Sequence, residues 1–147
     1  MLTYYYNNNH NNSSLSSYLK GVEVNKENSE YLFKNFLFFH PEAPITKSLM
    51  AFGFECGDGW FELINELCKK LKALDLKDFR VLQVKEKFGG LRFYVNGVEL
   101  DKADETYQLI DEAEAKSLTI CEKCGKPGKS NEIGWIRTLC DNCQKLR

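Results

Sequence analysis

The sequence predicts an α+β fold, with helices packed on a β-hairpin or small antiparallel sheet and a small cysteine-rich module at the C-terminus. Three observations predict it. Apolar residues recur at helical spacing in three stretches, the period changes to two on either side of Gly89-Gly90, and four of the six cysteines fall between residues 121 and 143. A hydrophobic content of 43% in 147 residues suffices for one modest core plus an appendage.

Residues 1–27 are rich in Asn and Ser, as in Asn7-Asn8-Asn9 and Asn11-Asn12-Ser13-Ser14. Such a stretch has too little apolar surface to offset the entropy of ordering, so a flexible tail with a solvated His10 is expected. The α+β domain is expected over 28–118. Asn28 or Ser29 can cap a first helix whose apolar face is Leu32, Phe33, Phe36 and Leu37. That helix should end before His40-Pro41, because the residue ahead of a proline avoids helical backbone. Asp58 is expected to cap a second helix reaching about Leu74, with Trp60, Ile64, Leu67, Cys68 and Leu71 inward. Asp101 should start a third, acidic helix ending near Ser117, with Ala103, Tyr107, Ile110 and Ala113 facing the core.

Between the second and third helices, Gly89-Gly90 reads as the two-residue turn of a hairpin. Lys87 would then oppose Arg92, Lys85 would oppose Tyr94, and Val84 would oppose Val95. Alternation puts Leu82, Val84, Phe88, Leu91, Phe93 and Val95 on a core face and Gln83, Lys85, Lys87, Arg92 and Tyr94 on the other. Like charges directly opposed weaken a sheet, so Lys87 facing Arg92 needs either internal neutralisation or an anionic guest. Arg92 offers a planar fork for phosphate or carboxylate, the lysines offer point charges, and Tyr94 offers a ring face. Against this, the acidic helix after the hairpin can supply the counter-charge from within.

Residues 119–147 hold Cys121-x-x-Cys124 and Cys140-x-x-Cys143, with fifteen residues between the pairs. Four thiolates at this spacing close a tetrahedral zinc site of the ribbon type. A closed four-sulfur shell has no open position for water or substrate, so a structural zinc is expected. Lys123, Lys126, Lys129 and Arg137 either balance the charge of four thiolates or touch phosphates together with Lys145 and Arg147. Trp135 reads as the hydrophobic plug of the module, the alternative being a stacking platform for a nucleic-acid base.

A net charge of −1 predicts no global attraction to nucleic acid. No apolar run reaches membrane-spanning length and the start lacks signal-peptide character, so a cytosolic location with reduced thiols is expected. With two histidines in the chain and no nucleophile–base spacing signature, no catalytic set is evident, and Cys56 with His40 and Asp58 has only chance proximity in its favour. An enzyme is not expected.

Gly53-Phe54-Glu55-Cys56-Gly57-Asp58-Gly59-Trp60, Val84-Lys85-Glu86-Lys87-Phe88-Gly89-Gly90-Leu91-Arg92-Phe93-Tyr94 and the segment from Cys121 to Cys143 together resemble a group of small bacteriophage and prophage proteins. The resemblance spans about residues 30–147 and includes Ile110-Asp111-Glu112-Ala113-Glu114 and Gly134-Trp135-Ile136-Arg137-Thr138-Leu139-Cys140. It implies a phage accessory protein acting in the host cytoplasm, of the kind that counters host defence by sequestering a nucleotide signal or binding a host protein. The leading expectation is therefore a non-catalytic binder of a phosphate-bearing small molecule, with ligand contacts from Lys85, Lys87, Arg92, Tyr94, Trp60 and Arg137. The alternatives are a nucleic-acid-binding zinc ribbon and an inhibitor of a host protein.

Overall fold

Asn25 starts the first helix, its side chain accepting from the Asn28 N–H at the N-terminus of α1, Lys26–Asn35. The computed structural model describes residues 24–131 and 133–146, so the expected tail lies outside the described residues for 1–23. Its last part is not tail: Val24 is buried in the core, and the cap falls at Asn25 rather than at Asn28 or Ser29. A short 3-10 turn, Leu37–Phe39, follows α1 and ends at His40, whose left-handed backbone precedes Pro41. The helix ends ahead of His40-Pro41 as expected, but already at Asn35, and Leu37, expected on its apolar face, is exposed.

Helix α2, Phe61–Ala73, buries Ile64, Leu67, Cys68 and Leu71 along one stripe, with Trp60 just ahead of it fully enclosed. Asp58 does not cap this helix. It sits in a 3-10 turn, Asp58–Trp60, and its carboxylate accepts from Asn25 N, Asn25 Nδ2 and Asn28 Nδ2 at 2.9–3.0 Å. Asp58 thereby holds the first turn of α1 against the entry to α2. Negative charge at that helix N-terminus is favourable in its own right.

The hairpin pairs β1, Arg80–Lys87, with β2, Gly90–Asn96. Its turn is Phe88-Gly89, not Gly89-Gly90, and both turn residues have positive φ, 52° and 80°. Lys85 opposes Arg92, Val84 opposes Phe93 and Lys87 opposes Gly90, a slip of two residues from the expected register. A two-residue slip preserves every side chain's face, so Lys85, Lys87, Arg92 and Tyr94 still share one side. The expected Lys87–Arg92 pair does not form; the opposed cations are Lys85 and Arg92. Two contacts favour the observed turn: the Glu86 carboxylate accepts the Gly89 N–H at 2.6 Å, and the Gly89 carbonyl accepts from Thr138 Oγ1 at 2.7 Å. A bulge between Val81 and Gln83 turns Val81 inward in place of Leu82, and Phe88 leaves the core for the exposed turn.

Both hairpin edges are covered. Helix α3, Ala103–Ser117, runs along β2, where Ser117 Oγ accepts the Leu91 N–H and Glu114 Oε1 accepts the Phe93 N–H. On the β1 side, Leu49 N–H reaches the Leu82 carbonyl, Glu55 N–H reaches Val84, and Glu86 N–H reaches Glu55. Unpaired sheet edges invite association, and here side chains and an irregular segment occupy them. Asp101 does not cap α3, which is entered through a 3-10 turn, Leu100–Lys102, and the helix buries Thr106, Ile110, Ala113 and Ser117 while Tyr107 faces outward.

The C-terminal module adds a two-residue ladder, β3 (Lys129–Ser130) with β4 (Thr138–Leu139), and a short helix α4, Asp141–Lys145. The fold is the α+β arrangement the sequence predicts. Among the described residues no helix is long and apolar enough to cross a membrane.

Candidate functional site

Cys121, Cys124, Cys140 and Cys143 bring their sulfur atoms within 4.8 Å of one another. Two knuckles converge because β4 delivers Cys140 beside the turn carrying Cys121 and Cys124. The Cys124 and Cys140 sulfurs stand 3.6 Å apart, and Cys143 N–H points at Cys140 Sγ over 3.4 Å. Burial pushes the Cys121 thiol up, but backbone N–H groups of Cys140, Cys124 and Lys123 outweigh it and bring the group down to about 7. Loss of solvation and the neighbouring thiols push Cys143 up to about 12. Removing protons from four adjoining sulfurs therefore becomes progressively harder without a cation to balance them. The donor set fits a metal ion: four soft ligands, mutually close, no fifth group required.

Three residues of one body motif, Gly57, Gly59 and Trp60, meet this module. Gly59 N–H donates to the Glu122 carbonyl at 2.7 Å, and Gly57 N–H donates to Glu122 Oε1 at 3.0 Å. A Cβ on Gly57 would collide with Glu122 and one on Gly59 with the Cys121 carbonyl, which is why both positions lack a side chain. Trp60 Nε1 donates to the Ile120 carbonyl at 2.9 Å. Glu122 itself is completely buried, its Oε2 taking two bonds from Arg137 at 3.1 and 3.2 Å. Burial pushes the Glu122 carboxyl above its ordinary range, opposed by the Arg137 guanidinium and the Gly57 N–H.

Two expected ligand residues are therefore placed elsewhere. Trp60 is 0% exposed and braces the junction, so it cannot stack on a ligand. Arg137, its side chain 18% exposed, is committed to Glu122 rather than to a phosphate. The expected plug, Trp135, is not inside the module; it is 75% exposed.

The cationic face of the hairpin divides in the same way. Arg92 turns toward α3, where Nη1 bonds the Leu91 carbonyl at 2.8 Å and lies 3.8 Å from Glu114. The acidic helix does neutralise one cation from within. It does not reach the others. Lys85, Lys87 and Tyr94 line an open groove of about 550 Å³, together with Lys47, Ile45, Leu49 and Gln83. Among the described residues no ion pair is formed by Lys47, Lys85 or Lys87, and the Lys87 ammonium lies 5.5 Å from the centre of the Phe88 ring. Lys85 and Lys87 also border a second groove of about 390 Å³, lined in addition by Glu86, Phe88, Gly134, Trp135 and Ile136.

Comparison with protein-family models, with curated proteins and with solved structures finds no match to this chain.

Sequence reasoning found Lys85, Lys87 and Tyr94 through strand alternation. It missed Lys47, which lies 38 positions before Lys85 in an irregular loop where no period signals its direction. It also missed Phe88, read as interior, and for Trp135 it preferred a buried plug to an exposed stacking platform, whereas the residue is exposed. Cys56 is fully buried; burial and then the Glu122 and Glu86 carboxylates raise its thiol far above the usual range, leaving it protonated and inert. His40 pairs with Glu42 and Asp58 with α1, so neither bonds to Cys56.

Proposed function

We propose that this protein is a non-catalytic binder of a phosphate-bearing small molecule, most simply a nucleotide, with its phosphate over Lys47, Lys85 and Lys87. The observation that carries the reading is the convergence of three lysines without ion-pair partners among the described residues on one open groove beside Tyr94. Three ammonium groups close together repel one another, and an anion spanning them removes that cost while gaining charge-assisted hydrogen bonds. Tyr94, 42% exposed, supplies a ring on which a base can stack and a hydroxyl for its edge or its sugar. Arg92, neutralised by Glu114, contributes little. The resemblance to small phage and prophage proteins fits such a task, the host cytoplasm being where a nucleotide signal would be sequestered.

The four cysteines, in the same reading, hold zinc. Bound zinc would supply folding energy to the module and no reaction, since the protein's own sulfurs fill its coordination shell. Nucleic-acid binding through the ribbon's basic residues is less well supported, because Arg137 is spent on Glu122 and Lys129 pairs with Asp141 at 3.7 Å.

Calorimetry with a panel of nucleoside mono- and triphosphates tests the reading. Wild type should bind at least one, and the Lys85→Ala/Lys87→Ala double variant should bind it roughly tenfold or more weakly, two charge-assisted contacts being lost. Arg92→Ala should bind nearly as wild type. Absence of binding by the wild-type protein ends the proposal.

A further inference from the structure

The second groove lies between the hairpin tip and the loop that separates the two cysteine pairs. Its walls are aromatic, and one of them is held in an unfavourable conformation. Phe88 occupies the first position of a tight turn with φ of 52°, and it is 70% exposed. Asn or Gly is the ordinary occupant of that position, because a bulky side chain meets its own backbone there. The ring gains little from burial to offset this, yet it is positioned beside the Lys87 ammonium. Trp135 and Ile136 line the same groove, in a segment tied by Asn131. That residue's Nδ2 donates to the Ile133 and Trp135 carbonyls at 2.8 and 3.0 Å, and its Oδ1 accepts the Arg137 N–H at 2.6 Å. The loop is thus organised with its indole outward. A bulky ring held at positive φ and left exposed, as Phe88 is, is a feature that packing does not explain.

Lys85 and Lys87 border both grooves. They form a cationic ridge with Tyr94 and aliphatic surface on one side and Phe88, Trp135 and Ile136 on the other. We propose that the groove of Phe88 and Trp135 is a second base-binding subsite, so that the ligand is a unit of two bases joined through phosphate, a dinucleotide, lying astride the lysine ridge. The inference rests on the nucleotide reading above and adds the class of nucleotide. One base stacks at Tyr94, the linking phosphate lies over Lys85 and Lys87, and the second base enters between Phe88 and Trp135. Base–aromatic stacking tolerates any base, so the subsite selects for a second ring rather than for a sequence. Glu86 also lines this groove, but its carboxylate is engaged by the Gly89 N–H.

The test uses the intact, metal-loaded protein, with adenosine 5′-monophosphate and the dinucleotide pApA as probes in calorimetry. Wild type should bind pApA roughly tenfold or more tightly than the mononucleotide, the gain of one stacked base. Phe88→Asn relieves the left-handed backbone, so its melting temperature should be no lower than wild type's, while its preference for pApA falls toward parity. Trp135→Ala should lose the same preference. Equal affinity of wild type for the two probes, or a Phe88→Asn variant that keeps the full preference, overturns the second subsite. Binding of neither probe overturns it together with the reading beneath it. A longer single strand as a third probe distinguishes a free dinucleotide from the same unit within a strand: affinity that rises with length and falls steeply with salt assigns the strand.

Discussion

The body and the cysteine module of this chain are held together by different physics. In the body, Leu32, Phe39, Met50, Trp60, Ile64, Val84 and Leu91 are all enclosed, and the six rings of Phe33, Phe38, Phe39, Phe54, Phe79 and Phe93 pack with centroids 5.1–6.3 Å apart. Such a core supports itself through area removed from water. In the module, Leu139 and Cys121 are the buried apolar residues among those described, and Ile133, Trp135 and Leu146 are largely exposed. A segment so short and so poor in core needs a staple, which a metal held by the four cysteines would supply. It also needs a surface to stand on. Gly57, Gly59, Trp60 and the Gly89 carbonyl of the body provide one through hydrogen bonds, with Ile120 packed against the core beside them.

The difference teaches that the motif from Cys56 to Trp60, which in sequence reads as a helix start, is the seat of the module. Its glycines permit close approach, and its aspartate faces the opposite way to secure α1. A polar seat has one energetic property that an apolar one lacks. Each of its buried groups is costly to leave unpaired, so removal of a single partner is felt strongly.

Removing the metal is the largest perturbation of this contrast. Chelation, or Cys121→Ser, should melt the module while the helices of the body persist. Trp135 fluorescence and near-ultraviolet dichroism should change together, with most far-ultraviolet helical signal retained, and metal analysis of the purified protein should return one zinc per chain. Zinc sites of this kind contribute on the order of 10 kcal/mol to folding of their module. Simultaneous collapse of helix and module signals would show that the body depends on the module as well.

Breaking the seat comes next. Glu122→Ala leaves the Arg137 guanidinium and the Gly57 N–H without their acceptor in a buried place. The expected cost is about 3 kcal/mol, read as a lowered denaturant midpoint. A change below about 0.5 kcal/mol, the scale of ordinary surface substitutions, would mean that the junction is wet and loosely held. Smaller again is Asp58→Ala, which removes three hydrogen bonds to Asn25 and Asn28 on the body side of the same motif. About 1–2 kcal/mol is expected, as for loss of a helix cap, with faster amide exchange confined to the first turn of α1. Exchange that quickens in the module instead would reassign Asp58 to the seat.

The elements legible in the sequence were those whose signal is local. Helical period located α1, α2 and α3, alternation located both strands, and cysteine spacing named all four candidate metal ligands. Alternation even kept Lys85, Lys87 and Tyr94 on one face despite a turn misplaced by one residue, because the resulting slip was even. Local signals failed at the caps: Asn25 rather than Asn28 or Ser29 caps α1, and 3-10 turns rather than capping by Asp58 and Asp101 lead into α2 and α3. They failed again at the fate of individual large side chains.

What the chain by itself determined, then, is which segments twist, which extend and where soft metal ligands gather, since each of these is set within a few residues by backbone preference and periodicity. What only the tertiary structure decided is which groups were spent and which remained. Glu114 took Arg92, Glu122 took Arg137, Ile120 took the Trp60 indole, and Thr138 helped choose Phe88-Gly89 as the turn. Each partner lies between 15 and 60 residues away along the chain. Hydrogen bonds and ion pairs at that separation depend on how the elements pack, and no local pattern records them.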